Sequence, residues 1–269
     1  MDFSERYGPW AIIAGASEGT GREFARQVAA QGVNLILIAR REAPLMALAE
    51  EVSQESGVEC VPVSVDLTSA DAVPTIIDAA AGREVGLFIS NAGSDTNSAQ
   101  FLDKDMDAWM DLITLNTLSP VQCCHYFAKA MRERKRGGIL LVGSGACHGS
   151  GPYMSAYSGT KAFNMRFAEG LWAELEPHGV DVLFYALGRT DTPMLRAQLA
   201  ANGLPLPPGL ADPVEVAQVG LERLPHGPAA DWGVADDAPG PGGISAAQRR
   251  ERVRMIAKMS ADIFRKETL

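Results

Sequence analysis

Trp10-Ala11-Ile12-Ile13-Ala14-Gly15-Ala16-Ser17-Glu18-Gly19-Thr20-Gly21 is the stretch that decides the fold of this 269-residue chain. Its first five residues are an apolar run of buried-strand length, and they empty without a spacer into a glycine-rich turn. From Arg22 to Gln31 the pattern becomes helical, with Phe24, Val28 and neighbouring alanines on one face. Strand, glycine turn and helix in that order separate a dinucleotide fingerprint from a chance glycine cluster. Glycine lets the backbone turn tightly, and it lets a pyrophosphate approach the amides of the helix N-terminus, where partial positive charge collects. The spacing is Gly-x-x-x-Gly-x-Gly, not the more widely quoted Gly-x-Gly-x-x-Gly.

Outward from this unit, strands and helices alternate. Further strands are predicted over Val33–Ala39, Val58–Val65, Val85–Ile89, the run after Gly137-Gly138, and Val180–Ala186. Helices are predicted over Ala43–Ser56, Asp105–Thr114 and Thr117–Arg134. The alternation predicts an α/β fold, a Rossmann-type doubly wound parallel sheet with helices on both faces, forming a single domain over residues 1–269. Beyond Met194 the character changes. Residues 189–212 hold Leu195, Leu199, Leu204, Leu206 and Leu210 among prolines and are expected to form a short helix and an apolar substrate flap. A helix is predicted from Asp212-Pro213 to Arg223. The remainder, 225–269, is read as an extended loop over Pro225–Gly243 followed by a helix over Ser245–Lys266.

The predicted strand ends carry the chemistry, because ligands of open α/β sheets bind there. The second strand ends in Ala39-Arg40-Arg41. An acidic residue here would hold a ribose and repel a 2′-phosphate, whereas arginine pairs with that phosphate, so NADP(H) is preferred and NAD(H) remains possible. Glu18 points the other way, since its charge can lie near the same phosphate. The third strand ends in Asp66-Leu67, where Asp66 either accepts from the adenine amino group or caps the next helix. The fourth runs into Ser90-Asn91-Ala92-Gly93, where Asn91 either orders the turn or touches the ligand. Asn116, followed by Pro120, marks a local helix break that opens main-chain carbonyls to water. Ser144 closes the fifth strand. Tyr157 and Lys161, four residues apart, share one helix face, and an ammonium one turn away favours ionisation of a phenol whose ordinary pKa is about 10.

In these pieces and in their order the chain resembles the short-chain dehydrogenase/reductase family, in its shorter single-domain branch, from residue 10 to about 194. The resemblance implies that Tyr157 is the acid in carbonyl reduction and the base in alcohol oxidation. Ser144 would hydrogen-bond the reacting oxygen, Lys161 would lower the tyrosine pKa and hold the nicotinamide ribose, and Asn116 would fix a relay water. It implies cofactor contacts from Gly15, Ser17, Gly19, Thr20, Gly21, Arg40, Asp66, Leu67, Asn91, Ala92, Gly93, Tyr157, Lys161, Gly188, Thr190 and Thr192, the last through the nicotinamide carboxamide. It also implies pairing of subunits into a homodimer or homotetramer, to which an apolar face with Phe163, Phe167, Leu171 and Trp172 would contribute. The chain departs from the family pattern at Ala14, Ser90 and Leu187, which bear on turn rigidity more than on the reacting groups.

The expected activity is interconversion of a ketone and a secondary alcohol on a moderately apolar small molecule, with Ser94, Cys147, His148, Tyr153 and the flap leucines as candidate substrate-side residues. Enoyl reduction, or a silent regulator that senses cofactor redox state, are the other readings. A net charge of -9 argues against nucleic acid as a partner. No apolar run approaches the roughly 20 residues of a membrane span, the acidic start shows no signal peptide, and a cytoplasmic location is expected. The four cysteines have no metal-ligand spacing, so reduced thiols and no metal are expected.

Overall fold

The computed structural model describes residues 2–264. In chain order the elements are α1 (Phe3–Tyr7), β1 (Trp10–Ala14), α2 (Gly19–Ala30), β2 (Asn34–Ala39), α3 (Glu42–Ser56), β3 (Cys60–Ser64), α4 (Ala72–Ala79) and β4 (Val85–Ser90). They continue with α5 (Met106–Ile113), α6 (Ser119–Arg134), β5 (Gly137–Ser144), α7 (Ser155–Leu175), β6 (Val180–Leu187), α8 (Pro193–Ala201), α9 (Pro213–Arg223), β7 (Ala229–Asp231) and α10 (Ala246–Phe264).

The strands form one parallel sheet in the order β3-β2-β1-β4-β5-β6-β7. The chain leaves β1 outward to β2 and β3, then returns to β4 on the other side. The carboxyl ends of β1 and β4 therefore diverge into a crevice. Alternating strand residues feed two cores. Ile12, Ile36, Phe88, Ile139 and Val182 pack with Phe127 of α6 and Ala168 of α7, while Ile13, Leu37, Leu140 and Leu183 pack with Phe24 of α2, Leu48 of α3 and Val216 of α9. Burial on both faces explains why these strands read as continuous apolar runs.

Three elements differ from the sequence expectation. Asp2 and Glu5 form a reciprocal capping box that starts α1, where no apolar periodicity announces a helix. The expected helices at 105–114 and 117–134 are joined through a π-helical turn, Thr114–Leu118, which places the expected irregularity at Asn116 without ending the helix. The expected loop Pro225–Gly243 contains β7, a three-residue strand in register with Phe184–Ala186. A strand so short, flanked by proline and glycine, has no hydrophobic alternation of its own, and the open edge of β6 supplies its hydrogen bonds. Lys266, the expected end of the last helix, lies outside the described residues. No helix among the described residues is long and apolar enough to cross a membrane.

Candidate active site

At the carboxyl edge of the sheet lies a cleft of about 980 Å³. One end is built by the turn from β1 into α2. Gly15 adopts φ +79°, and a Cβ there would meet the backbone of Ala92 at 2.7 Å, so glycine permits the turns after β1 and β4 to touch. Asn91 donates its side-chain amide to the Gly15 carbonyl at 3.0 Å, an ordering role, and it also lines the cleft. Gly21 lies beneath the turn and not on the cleft wall, since a Cβ on it would overlap the Gly15 carbonyl oxygen. Gly21→Ala is expected to destabilise the fold by about 1–3 kcal/mol. An unchanged urea midpoint would show that the turn yields freely.

Ser17, Glu18, Gly19 and Thr20 line the cleft, and no side chain caps the first amides of α2. That arrangement fits a pyrophosphate. Arg40 and Arg41 line the same end. Arg41 is paired with Glu18 at 2.7 Å, while Arg40 makes no ion pair among the described residues. The acidic charge that opposed a phosphate in the sequence reading is thus answered within the chain. Asp66, in contrast, is exposed and absent from the cleft wall. Its carboxylate accepts from the amide and hydroxyl of Thr68 at 3.0 and 2.9 Å, a turn-forming use of the side chain. Its neighbours Val65 and Leu67 line the cleft in its place.

At the other end are Ser144, Tyr157 and Lys161. The last residue of β5 brings Ser144 to the rim, where its hydroxyl accepts from the Ala146 amide at 3.2 Å. The first turns of α7 bring Tyr157 and Lys161 to the same wall. Lys161 is 3% exposed; its ammonium lies 5.6 Å from the Tyr157 ring centroid and donates to the Val142 carbonyl at 3.4 Å. Burial pushes its pKa down to about 8. Burial also pushes the Tyr157 phenol up, with the Ser144 hydroxyl pulling it back. The sequence expectation of a depressed phenol does not hold here, because desolvation outweighs the groups that favour the phenolate.

Asn116 stands behind this wall. A Cβ on Gly93 would meet Asn116 Oδ1 at 2.5 Å and Lys161 Nζ at 3.0 Å, which locates the amide beside the lysine. Its Nδ2 donates to the Ser94 carbonyl at 3.0 Å, and its Oδ1 is buried without a hydrogen-bond partner among the described residues, a polar environment suited to one more donor. The main-chain carbonyl freed by the π turn does not simply face water: Asn164 of α7 donates to it at 2.7 Å. Sequence reading missed Asn164, although its place three residues after Lys161 puts it on the same helix face.

The end of β6, Leu187, and the loop after it, with Gly188, Arg189, Thr190 and Thr192, complete the cleft. Thr192 caps α8 by accepting from the Leu195 amide at 3.2 Å, and Thr190 is buried in a bridge to Ala211. Of the expected substrate-side residues, Ser94, Tyr153 and Leu195 line the cleft. Leu199, Leu204, Leu206 and Leu210 do not, and Pro152, Met154, Met194 and Gln198 take those places. Cys147 is buried in the core, where desolvation pushes its thiol up to about 12, and it forms no part of the wall. His148 also points away from the cleft, its Nε2 lying 2.6 Å from Asp231. On α7, Trp172 is buried in the core and Phe167 and Leu171 are partly buried against it, so Phe163, stacked on Phe167, is what remains half exposed of the expected intersubunit face.

Comparison with known proteins bears on the family and the fold. The chain is 35% identical over 204 residues to the very-long-chain 3-oxoacyl-CoA reductase of Podospora anserina, covering 74% of this chain and 60% of that reductase. It is 32% identical over 199 residues to the 7beta-hydroxysteroid dehydrogenase of Collinsella aerofaciens, covering 74% of this chain and 75% of the relative. A short-chain dehydrogenase from Sphingobium yanoikuyae, solved in complex with NADPH, superposes with a TM-score of 0.78 at 27% identity, over 94% of this chain and 96% of that one. The family model described as short chain dehydrogenase matches residues 9–203. A match that runs from the first strand through the flap helix, well over half of the chain, makes this protein a member of the short-chain dehydrogenase/reductase family.

Proposed function

We propose that the protein is an NADP(H)-preferring oxidoreductase that interconverts a ketone and a secondary alcohol on a bulky, moderately apolar molecule. One observation carries the reading: a serine hydroxyl, a partly buried phenol and a buried amine meet on the cleft wall that also holds the uncapped N-terminus of α2. When bound, the reduced nicotinamide supplies the hydride. Tyr157 donates its proton to the carbonyl oxygen, and its upward-shifted pKa keeps that proton in place at neutral pH. Ser144 hydrogen-bonds the same oxygen. Lys161 and Asn116 hold the ribose side of the site and resupply the proton. Arg40 takes the 2′-phosphate, in keeping with the NADPH held by the 27% identical relative.

Pro152, Tyr153, Met154, Met194 and Leu195 give the substrate end an apolar wall, with residues 189–212 as its flap. The named activities of the relatives, on a 3-oxoacyl-CoA and a 7beta-hydroxysteroid, are consistent with such a wall. We place the protein in the cytoplasm as a homodimer or homotetramer, joined through the half-exposed Tyr126 of α6 and Phe163 of α7.

The test is NADPH oxidation with a 7-oxosteroid, a 3-oxoacyl-CoA and a diaryl ketone. With the ketone reduced fastest, the rate is expected to fall along an alkaline limb near pH 8. Lys161 is protonated below that value and neutral above it, whereas an ordinary lysine would hold its proton to 10.5. A profile flat through about pH 9 would contradict the role given to Lys161.

A further inference from the structure

The walls of the site are tied to a part of the chain that does not line it. After Ser144 the chain enters one 3-10 turn, Gly145–His148, and the Ser144 hydroxyl is fixed at its start by the Ala146 amide. At the other end of that turn the His148 side chain, 7% exposed, meets Asp231, the last residue of β7, at 2.6 Å. The turn Gly240–Gly243 packs over the pair. A Cβ on Gly240 would come within 2.7 Å of Asp231 Oδ2, and one on Gly242 within 3.1 Å of His148 Nδ1 and 3.2 Å of Arg249 Nη2. Arg249, 4% exposed, donates at 2.7 Å to Glu169 on α7, the helix that carries Tyr157 and Lys161.

Buried polar and ionic ties contribute little net stability relative to apolar packing of the same volume, because desolvation offsets most of the gain. What they do supply is direction, since a hydrogen bond is satisfied only over a narrow range of distance and angle. Two such ties converge on the two elements whose relative placement sets the distance between the Ser144 hydroxyl and the Tyr157 phenol.

We infer that the segment from Ala229 to Arg249 is a positioning element of the catalytic centre: Asp231, through His148, holds the turn that orients Ser144, and Arg249, through Glu169, holds the helix that carries Tyr157 and Lys161. The inference rests on the catalytic reading of those three residues. Asp231 and Arg249 lie 83 and 80 residues further along the chain than the groups they hold. Ser144 is thus set in place by a segment none of whose residues lines the cleft.

His148→Leu removes the donor while filling the space. It is expected to lower kcat about tenfold or more, with NADPH affinity within about twofold of wild type. His148→Gln, whose amide nitrogen reaches the position of Nε2, should retain most of the rate. Amide exchange over residues 145–148 should rise in the leucine variant and stay low in the glutamine one. Wild-type kcat or unchanged exchange in His148→Leu overturns the proposal, as does equal loss in both variants. Should the leucine variant not fold, Asp231→Ala, which removes the acceptor, reads the same tie: faster exchange over 145–148 supports it and unchanged exchange refutes it. Tyr157→Phe run in parallel separates the two readings. An active Tyr157→Phe removes the catalytic assignment, whereas an inactive one beside a fully active His148→Leu removes only the positioning role.

Discussion

Tyr157→Phe is expected to lower kcat by roughly 10²–10⁴-fold, the range for loss of a positioned general acid. The ring and its packing survive the change, so NADPH affinity should stay near wild type and the melting temperature should not fall. The loss should appear equally in kcat and kcat/KM, as for an interaction made only in the transition state. The phenol is partly buried on the cleft wall and pushed up by desolvation, which suits it to hold a proton until a carbonyl oxygen arrives. Ser144 donates a hydrogen bond to that oxygen in the proposed mechanism, but an aliphatic hydroxyl is too weak an acid to replace the missing phenol. A phenylalanine variant with wild-type turnover would therefore remove Tyr157 from the chemistry.

Arg40→Ala is expected to weaken NADPH by about 1.5–3 kcal/mol, or roughly 10- to 150-fold, and to leave NADH nearly unchanged. The difference arises because Arg40 makes no ion pair among the described residues, while Arg41 is engaged by Glu18 at 2.7 Å. Titrating both nucleotides by fluorescence into both proteins reads the effect. Equal weakening of NADPH and NADH would place Arg40 on the shared part of the dinucleotide. Arg41→Ala should release Glu18 and weaken NADPH as well, less by lost contact than by an unanswered negative charge.

The sheet was legible because its strands are buried on both faces and announce themselves as apolar runs, each followed by a helix of a different period. What escaped is what lacks periodicity. Ala229–Asp231 is a strand only because β6 offers an edge, and α1 exists through a capping box. In the site, residues at strand ends were readable, since topology alone brings Gly15, Asn91, Ser144 and Gly188 to one edge. The destinations of single side chains were not. Asp66 turns to Thr68, His148 to Asp231 and Cys147 into the core, each settled by a partner distant in sequence or by a local turn. Asn164 was within reach of helical spacing, but the carbonyl it holds becomes available only through the π turn at Asn116.

The most direct test of the account follows the hydride itself. NADPH carrying deuterium at its transferable nicotinamide position is mixed with the protein and the ketone it reduces fastest, and the product is examined by NMR. Deuterium bound to the carbinol carbon of a secondary alcohol is the expected result, and its amount should fall with Tyr157→Phe. Deuterium on the carbon β to an intact carbonyl of an unsaturated substrate would assign enoyl reduction instead, and NADPH that binds tightly but gives deuterium to no acceptor would contradict the enzymatic account.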